Sequence, residues 1–188
     1  MTNKRIIIGI TGASGGIYGI KLLESCKKIG LETHLICSEN GERTLKIENK
    51  LTLSDLKPMA DYWYDSKNMA AAISSGSFQT MGMIVAPCSM RSLAEIANGV
   101  STSLVSRAAD VVLKERRKLL LMVRETPFNA IHLKNMTQVT NCGGIIMPPI
   151  PSFYDQPQDI NQMITQSVGR ALDLFDLPHH LTKRWQDS

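Results

Sequence analysis

The chain has 188 residues, 43% of them hydrophobic, which supports one domain with an ordinary core and excludes disorder on compositional grounds. Its formal charge of +4 suits small anionic ligands as well as nucleic acid, but aromatics make up only 5%, too few for a base-stacking surface. No apolar run approaches the roughly 20 residues that span a bilayer, and the N-terminal run is too short for a signal peptide. Cys26, Cys37, Cys88 and Cys142 fall in no C-x-x-C spacing, so neither a zinc site nor a thioredoxin-like motif is suggested. The chain reads as cytoplasmic, with reduced thiols.

In chain order, an apolar strand over 6–10 leads through a Gly-rich turn into a stretch over 17–29, where Ile20, Leu23 and Lys27 set against Leu22 and Cys26 give a helical rather than an alternating pattern. A strand over 32–37 ends at Ser38. Helices are expected near 40–48, 53–57 and 68–73. A third strand over 82–86 is apolar throughout, as in a sheet buried on both faces. Ser89 is a plausible N-cap for a helix running to Asn98-Gly99. A helix over 102–116 carries Leu104, Ala108, Val111 and Val112 on one face. A fourth strand (119–123), a helix (128–140), a fifth strand (144–147), a Pro-rich stretch and a last helix (159–174) complete the order. Strands alternating with helices predict one α/β domain over residues 1–188, a doubly wound parallel sheet. The segment from about 176 to 188 carries Trp185 and reads as an arm that packs on a neighbouring copy.

The turn Gly9-Ile-Thr-Gly12-Ala-Ser-Gly15 sits between a strand and a helix, where glycines let backbone N–H groups approach a phosphate. The alternative is a tight turn without a ligand. The spacing is G-x-x-G-x-x-G, not the dinucleotide G-x-G-x-x-G, and Ser38 stands where an acidic residue would hold a ribose, with Glu39 after it. A mononucleotide such as FMN fits better than NAD.

The carboxyl ends of the strands collect polar groups: Thr11 to Ser14, Ser38, Ser89-Met90-Arg91-Ser92, Arg124-Glu125 and, at the last, Tyr154. Ser89 and Ser92 could equally be helix caps, and Arg124 with Glu125 a surface pair of little energetic weight. Within 114–118 only Lys114 is considered for a ligand; the rest reads as a solvated helix end. Cys88 and Cys142 are read as small buried hydrophobes, and His34 and His132 lack an acidic partner in sequence.

Together these blocks resemble the UbiX-type flavin prenyltransferases over nearly the whole chain. The marks are Thr11-Gly-Ala-Ser-Gly15 with Tyr18-Gly19, Ser74-Ser-Gly-Ser-Phe78, Pro87-Cys-Ser-Met90, Arg107-Ala-Ala-Asp-Val111 and Leu113-Lys-Glu-Arg-Arg117. Arg124-Glu-Thr-Pro127, Ile131-His-Leu133, Phe153-Tyr154 and Arg184-Trp185 continue them. The resemblance implies a Rossmann-like or flavodoxin-like fold in a large homo-oligomer, typically a dodecamer. FMN would lie across Gly12, Ala13, Ser14, Ser38, Ser89, Met90, Arg91, Ser92 and Arg124. Tyr154 and Arg170 would hold dimethylallyl monophosphate, with Lys114 and Arg124 near its phosphate. Arg107 and Glu48 would stand around the site, Glu125 would handle a proton, and some groups would come from neighbouring subunits. The implied reaction joins the dimethylallyl group to N5 and C6 of reduced FMN without a metal, and the prenylated FMN serves a UbiD-type decarboxylase. The rival readings are an FMN-dependent aromatic-acid decarboxylase or a non-catalytic flavin carrier. Against the first, the first-helix region lacks the His base of peptidyl-cysteine decarboxylases of similar fold.

Overall fold

Every residue of the first strand after Arg5 is buried, and alternation sends Ile6, Ile8 and Ile10 to one face and Ile7 to the other. A strand apolar on both faces needs a helical layer on each side. The computed structural model, which describes residues 4–154 and 156–182, has that arrangement. Strands β1 (Arg5–Ile10), β2 (Glu32–Cys37), β3 (Tyr62–Asp65), β4 (Gly82–Cys88), β5 (Lys118–Val123) and β6 (Ile145–Ile146) form one parallel sheet, in the order β3-β2-β1-β4-β5-β6.

Helices α1 (Gly16–Lys28), α2 (Glu39–Asn49), α3 (Leu53–Leu56) and α7 (Ile160–Asp173) place Leu22, Leu23, Leu45, Leu56, Val168 and Leu172 against the Ile6 face. Helices α4 (Met90–Ala97), α5 (Leu104–Lys114) and α6 (Ala130–Asn141) place Leu93, Leu104, Ala108, Val112 and Val139 against the Ile7 face. The sheet is therefore wound in both directions from its middle. The strand order reverses between β1 and β4, so the crevice for a ligand opens beyond their carboxyl ends.

Five strands were legible in the sequence; the sixth, β3, was not. It is an edge strand of Tyr62, Trp63, Tyr64 and Asp65, largely exposed, so it shows no buried alternation. The helix expected near 68–73 is absent, and a single 3-10 turn at Ala72–Ser74 stands there. No described helix is long and apolar enough to cross a membrane. Through Thr182 the C-terminal segment lies on α7 of its own chain, with Thr182, His179 and Leu181 against Gly169. The rest of the expected arm, with Arg184 and Trp185, lies outside the described residues.

Helix α1 approaches the sheet closely at Gly19, where a Cβ would lie 2.6 Å from the Ala86 carbonyl and 2.7 Å from Ile10 Cδ1. The carbonyl is backbone and cannot withdraw without disturbing β4. Gly19→Ala should destabilise the fold by about 1–3 kcal/mol, as overpacking does. The check is a lower urea midpoint at fixed protein concentration; an unchanged midpoint would show that the helix can lift.

Candidate functional site

The floor of the crevice is tied together by Thr11. Its buried hydroxyl donates to the Pro87 carbonyl at 2.8 Å and accepts the Ser89 N–H at 2.8 Å, while its own N–H reaches Pro87 O at 3.2 Å. The ends of β1 and β4 are thereby fixed where they diverge. Around this floor three helices begin. Ser38 caps α2 by accepting the Gly41 N–H at 3.1 Å, Ser89 caps α4 through the Ser92 N–H at 3.2 Å, and Ser103 caps α5 through the Ser106 N–H at 3.4 Å. Gly12 lies against α2 so closely that a Cβ would fall 2.5 Å from that of Asn40.

These three N-termini border one cavity of about 300 Å³, lined by Gly12, Ser38, Glu39, Ser89, Arg91, Ser92 and Ser103, with Lys67 at its side. Converging helix N-termini carry partial positive charge and aim N–H groups inward, which suits a phosphate. Arg91 spans to Glu95 at 2.9 Å, and Glu39 is engaged by Arg43 at 2.9 Å, so the carboxylates at the rim already have cations. Met90 begins α4 and packs partly into the core beneath it.

At α1 the structure corrects the simplest reading of the glycine turn. Gly15 takes a left-handed conformation with φ 101°, and its N–H donates to Glu48 Oε2 at 2.8 Å. The Ser14 hydroxyl and the Gly16 N–H also bond this carboxylate. Partial burial raises the Glu48 pKa, but these bonds and the nearby Arg124 outweigh it, so the carboxyl titrates below its ordinary value. The anion at the N-terminus of α1 is thus a side chain of this protein. The serine-capped cavity is then the candidate phosphate site.

On the other side of the turn a cavity of about 660 Å³ is lined by Ser14, Tyr18, Glu48, Arg124 and Glu125, with Ile17, Ile160 and Ile164 as apolar wall. Arg124 is set at the end of β5 by its N–H bond to Cys88 O, at 3.0 Å. Burial raises the Tyr18 phenol pKa, which a Ser167 bond and Arg124 partly offset. A third cavity of about 370 Å³ shares Pro148 and Ile150 with the second and holds Ser152, Tyr154 and Arg170. Ser14, Glu48, Arg124 and Glu125 are therefore gathered, with Tyr154 and Arg170 next door.

Two expected residues stand elsewhere. Lys114 ends α5, and eleven residues of helix place it about 15 Å from the capped end at the crevice. It pairs there with Glu115. Arg107 does not line the cavities; it donates to Ser74 O at 3.2 Å and to Asp110 at 2.8 Å.

His34 does have an acidic partner. Its Nε2 lies 2.9 Å from Glu32 and its Nδ1 2.9 Å from the Tyr64 hydroxyl, remote from the crevice on β2. The signal was the i, i+2 spacing on one strand face. Burial lowers the His34 pKa against the opposing pull of Glu32. His132 belongs to the α6 cap with Asn129. Cys88 is buried, and its thiol pKa is raised by burial; Cys142 is exposed, contrary to expectation, because it lies just past the end of α6. Sequence reading missed Thr11 as the tie and Ser103 as the third cap, although Ser103-x-x-Ser106 is a recognisable cap signal.

Known proteins share this fold. The family model described as Flavoprotein matches residues 1–171. The chain is 49% identical over 181 residues to the flavin prenyltransferase UbiX of Thauera aromatica, covering 96% of this chain and 93% of that one. It is 48% identical to flavin prenyltransferase UbiX of Escherichia coli K12, covering 97% and 98%. AnUbiX (PadA1), solved in complex with FMN and dimethylallyl pyrophosphate, superposes with a TM-score of 0.97 at 48% identity over 99% of each chain. A dodecameric FMN-dependent UbiX-like decarboxylase from Escherichia coli O157:H7 superposes with a TM-score of 0.94 at 44% identity, covering 97% and 99%. At such identity and coverage the chain belongs to the UbiX flavin prenyltransferase family.

Proposed function

We propose that the protein transfers the dimethylallyl group of dimethylallyl monophosphate to N5 and C6 of reduced FMN, supplying prenylated FMN to a UbiD-type decarboxylase in the cytoplasm. The observation that carries this reading is the pairing of two different anion sites across one glycine turn. The serine-capped cavity suits the phosphate of a mononucleotide, and the neighbouring cavities bring Arg124, Tyr154 and Arg170 toward a second phosphate. The relative solved with FMN and dimethylallyl pyrophosphate supports the binding of two such ligands. The four cysteines are all free, in keeping with a reducing compartment.

The residues present fit FMN: Ser38, Ser89, Ser92 and the α2 and α4 N-termini would hold its phosphate, and Gly12, Ala13 and Ser14 would lie along it. When bound and reduced, the flavin supplies the nucleophile. The protein's part is electrostatic. Arg124, Tyr154 and Arg170 stabilise the negative charge that grows on the phosphate as its bond to the allylic carbon breaks. Glu125 shares the cavity with Arg124 and stands ready, like the departing phosphate, to accept the proton released from the flavin ring. Ile17 and Ile164 line the cavity as apolar wall and would limit water at the reacting carbon.

Lys114 and Arg107 enter this scheme from another copy. Ile150, Phe153 and Ile160 stand on or beside the cavities and are 76%, 69% and 74% exposed, an apolar rim that a neighbouring subunit would cover. The dodecameric relative supports such an assembly.

Anaerobic incubation with reduced FMN and dimethylallyl monophosphate, followed by mass spectrometry of the released flavin, should show one added five-carbon unit. Unmodified FMN from protein that binds it would favour the carrier or direct-decarboxylase reading. Lys114→Ala and Arg124→Ala should each abolish turnover as homo-oligomers, while co-expressed mixed oligomers should recover about a quarter of wild-type activity, as a site shared between copies requires. No recovery would place both residues in a single chain's site.

Glu48→Gln should loosen the turn against which FMN lies. The folded carboxyl titrates below its unfolded value of about 4.3, so its stabilising effect is complete above that pH and fades as pH falls through the folded pKa. Wild type should therefore exceed Glu48→Gln in urea midpoint at pH 7, and the gap should narrow as pH falls below the unfolded value. A gap independent of pH would mean that the charge of Glu48 contributes nothing.

A further inference from the structure

Arg170 is the one cation among the described residues that line the third cavity, on a helix whose exposed face offers its long side chain many rotamers. Its guanidinium is nonetheless held. Arg170 Nη1 donates to Asp173 Oδ2 at 2.7 Å, one helical turn on. Asp173 is largely buried, and its other oxygen lies 3.0 Å from Nε2 of His179, a side chain only 2% exposed. The tautomer follows from the third contact. The Leu181 N–H donates to His179 Nδ1 at 3.2 Å, so the ring proton sits on Nε2 and points at Asp173.

His179 is brought there by the segment that folds back over α7. Its seat is Gly169, where a Cβ would lie 2.5 Å from Thr182 Cγ2 and 3.1 Å from His179 Cε1. Asp176 pairs with Lys118 at the start of β5, anchoring the turn before it.

We propose that Asp173 and His179 are positioning residues for substrate binding: the docked C-terminal segment fixes His179, which orients Asp173, which in turn aims Arg170 at the phosphate of the prenyl donor. This rests on the prenyl-phosphate reading of the third cavity. Arg170 touches the substrate; the other two act through it. The segment after α7 thereby becomes part of the specificity apparatus for the phosphate, although neither Asp173 nor His179 lines the cavity.

The test is a double-mutant cycle on protein loaded with oxidised FMN, which binds the donor without turning it over. The dissociation constant of dimethylallyl monophosphate is measured by calorimetry, together with FMN affinity and urea midpoint. Asp173→Asn and His179→Ala should each weaken donor binding about tenfold, the scale of one hydrogen bond to a charged group, with FMN affinity unchanged. His179→Gln, whose amide can still donate to Asp173, should restore most of the loss. In an Arg170→Ala background the same changes should cost less than about twofold, because residues acting through one guanidinium are not additive.

Equal losses in both backgrounds would reduce Asp173 and His179 to general scaffolding and overturn the proposal alone. So would normal donor binding by Asp173→Asn and His179→Ala when Arg170→Ala is weakened. If Arg170→Ala binds the donor normally, or wild type does not bind it, the substrate reading fails and the proposal with it.

Discussion

The hydroxyl of Thr11, buried between the diverging ends of β1 and β4, is the contact on which the rest of the site depends. Where two parallel strands part, their last N–H and C=O groups lose ladder partners, and leaving them unpaired in the interior would cost about 1–3 kcal/mol each. Thr11 satisfies one of each. In doing so it fixes the backbone of Ser89, and Ser89 then starts α4 at a set height and angle. The starts of α2 and α5 border the same cavity, so the α4 N-terminus that this hydroxyl sets meets two others there.

Glu48 has a complementary part. A glycine-rich turn before a helix attracts any anion, and an empty one would compete for the ligand's phosphate. By reaching across from α2, Glu48 satisfies the Gly15 and Gly16 N–H groups from within the chain. The crevice is thereby divided: one side gathers serine-capped helix N-termini, which on the proposed reading take a nucleotide phosphate, and the other keeps Arg124 beside apolar walls. Two anionic ligands can then lie side by side, each with its own cations.

Much of this was legible in the sequence because local signals and burial pointed the same way. The apolar runs of β1, β4 and β5 announce a sheet covered on both faces, and Ser89 before Met90 announces its cap. Tyr62 to Asp65 escaped because an edge strand with exposed aromatics has no inward-outward alternation to detect. Glu48 could be placed near the site only through family resemblance, since its partners lie more than 30 residues earlier and depend on how α2 packs against α1. Lys114 and Arg124 are only ten positions apart in the chain, yet α5 and β5 carry them to opposite ends of the sheet. Sequence proximity says little about distance when an extended strand of about 3.3 Å per residue runs between two residues.

On the proposed reading, α5 is a ruler between catalytic centres. Its capped end faces the flavin cavity of its own subunit, and its last residue serves the substrate of another. Each residue of a helix adds about 1.5 Å of length and 100° of rotation. An insertion anywhere in α5 would therefore leave both ends chemically intact while turning Lys114 away from the neighbour that needs it. The length of this helix is a property of the assembly more than of the chain, and it can drift only if the subunit packing drifts with it.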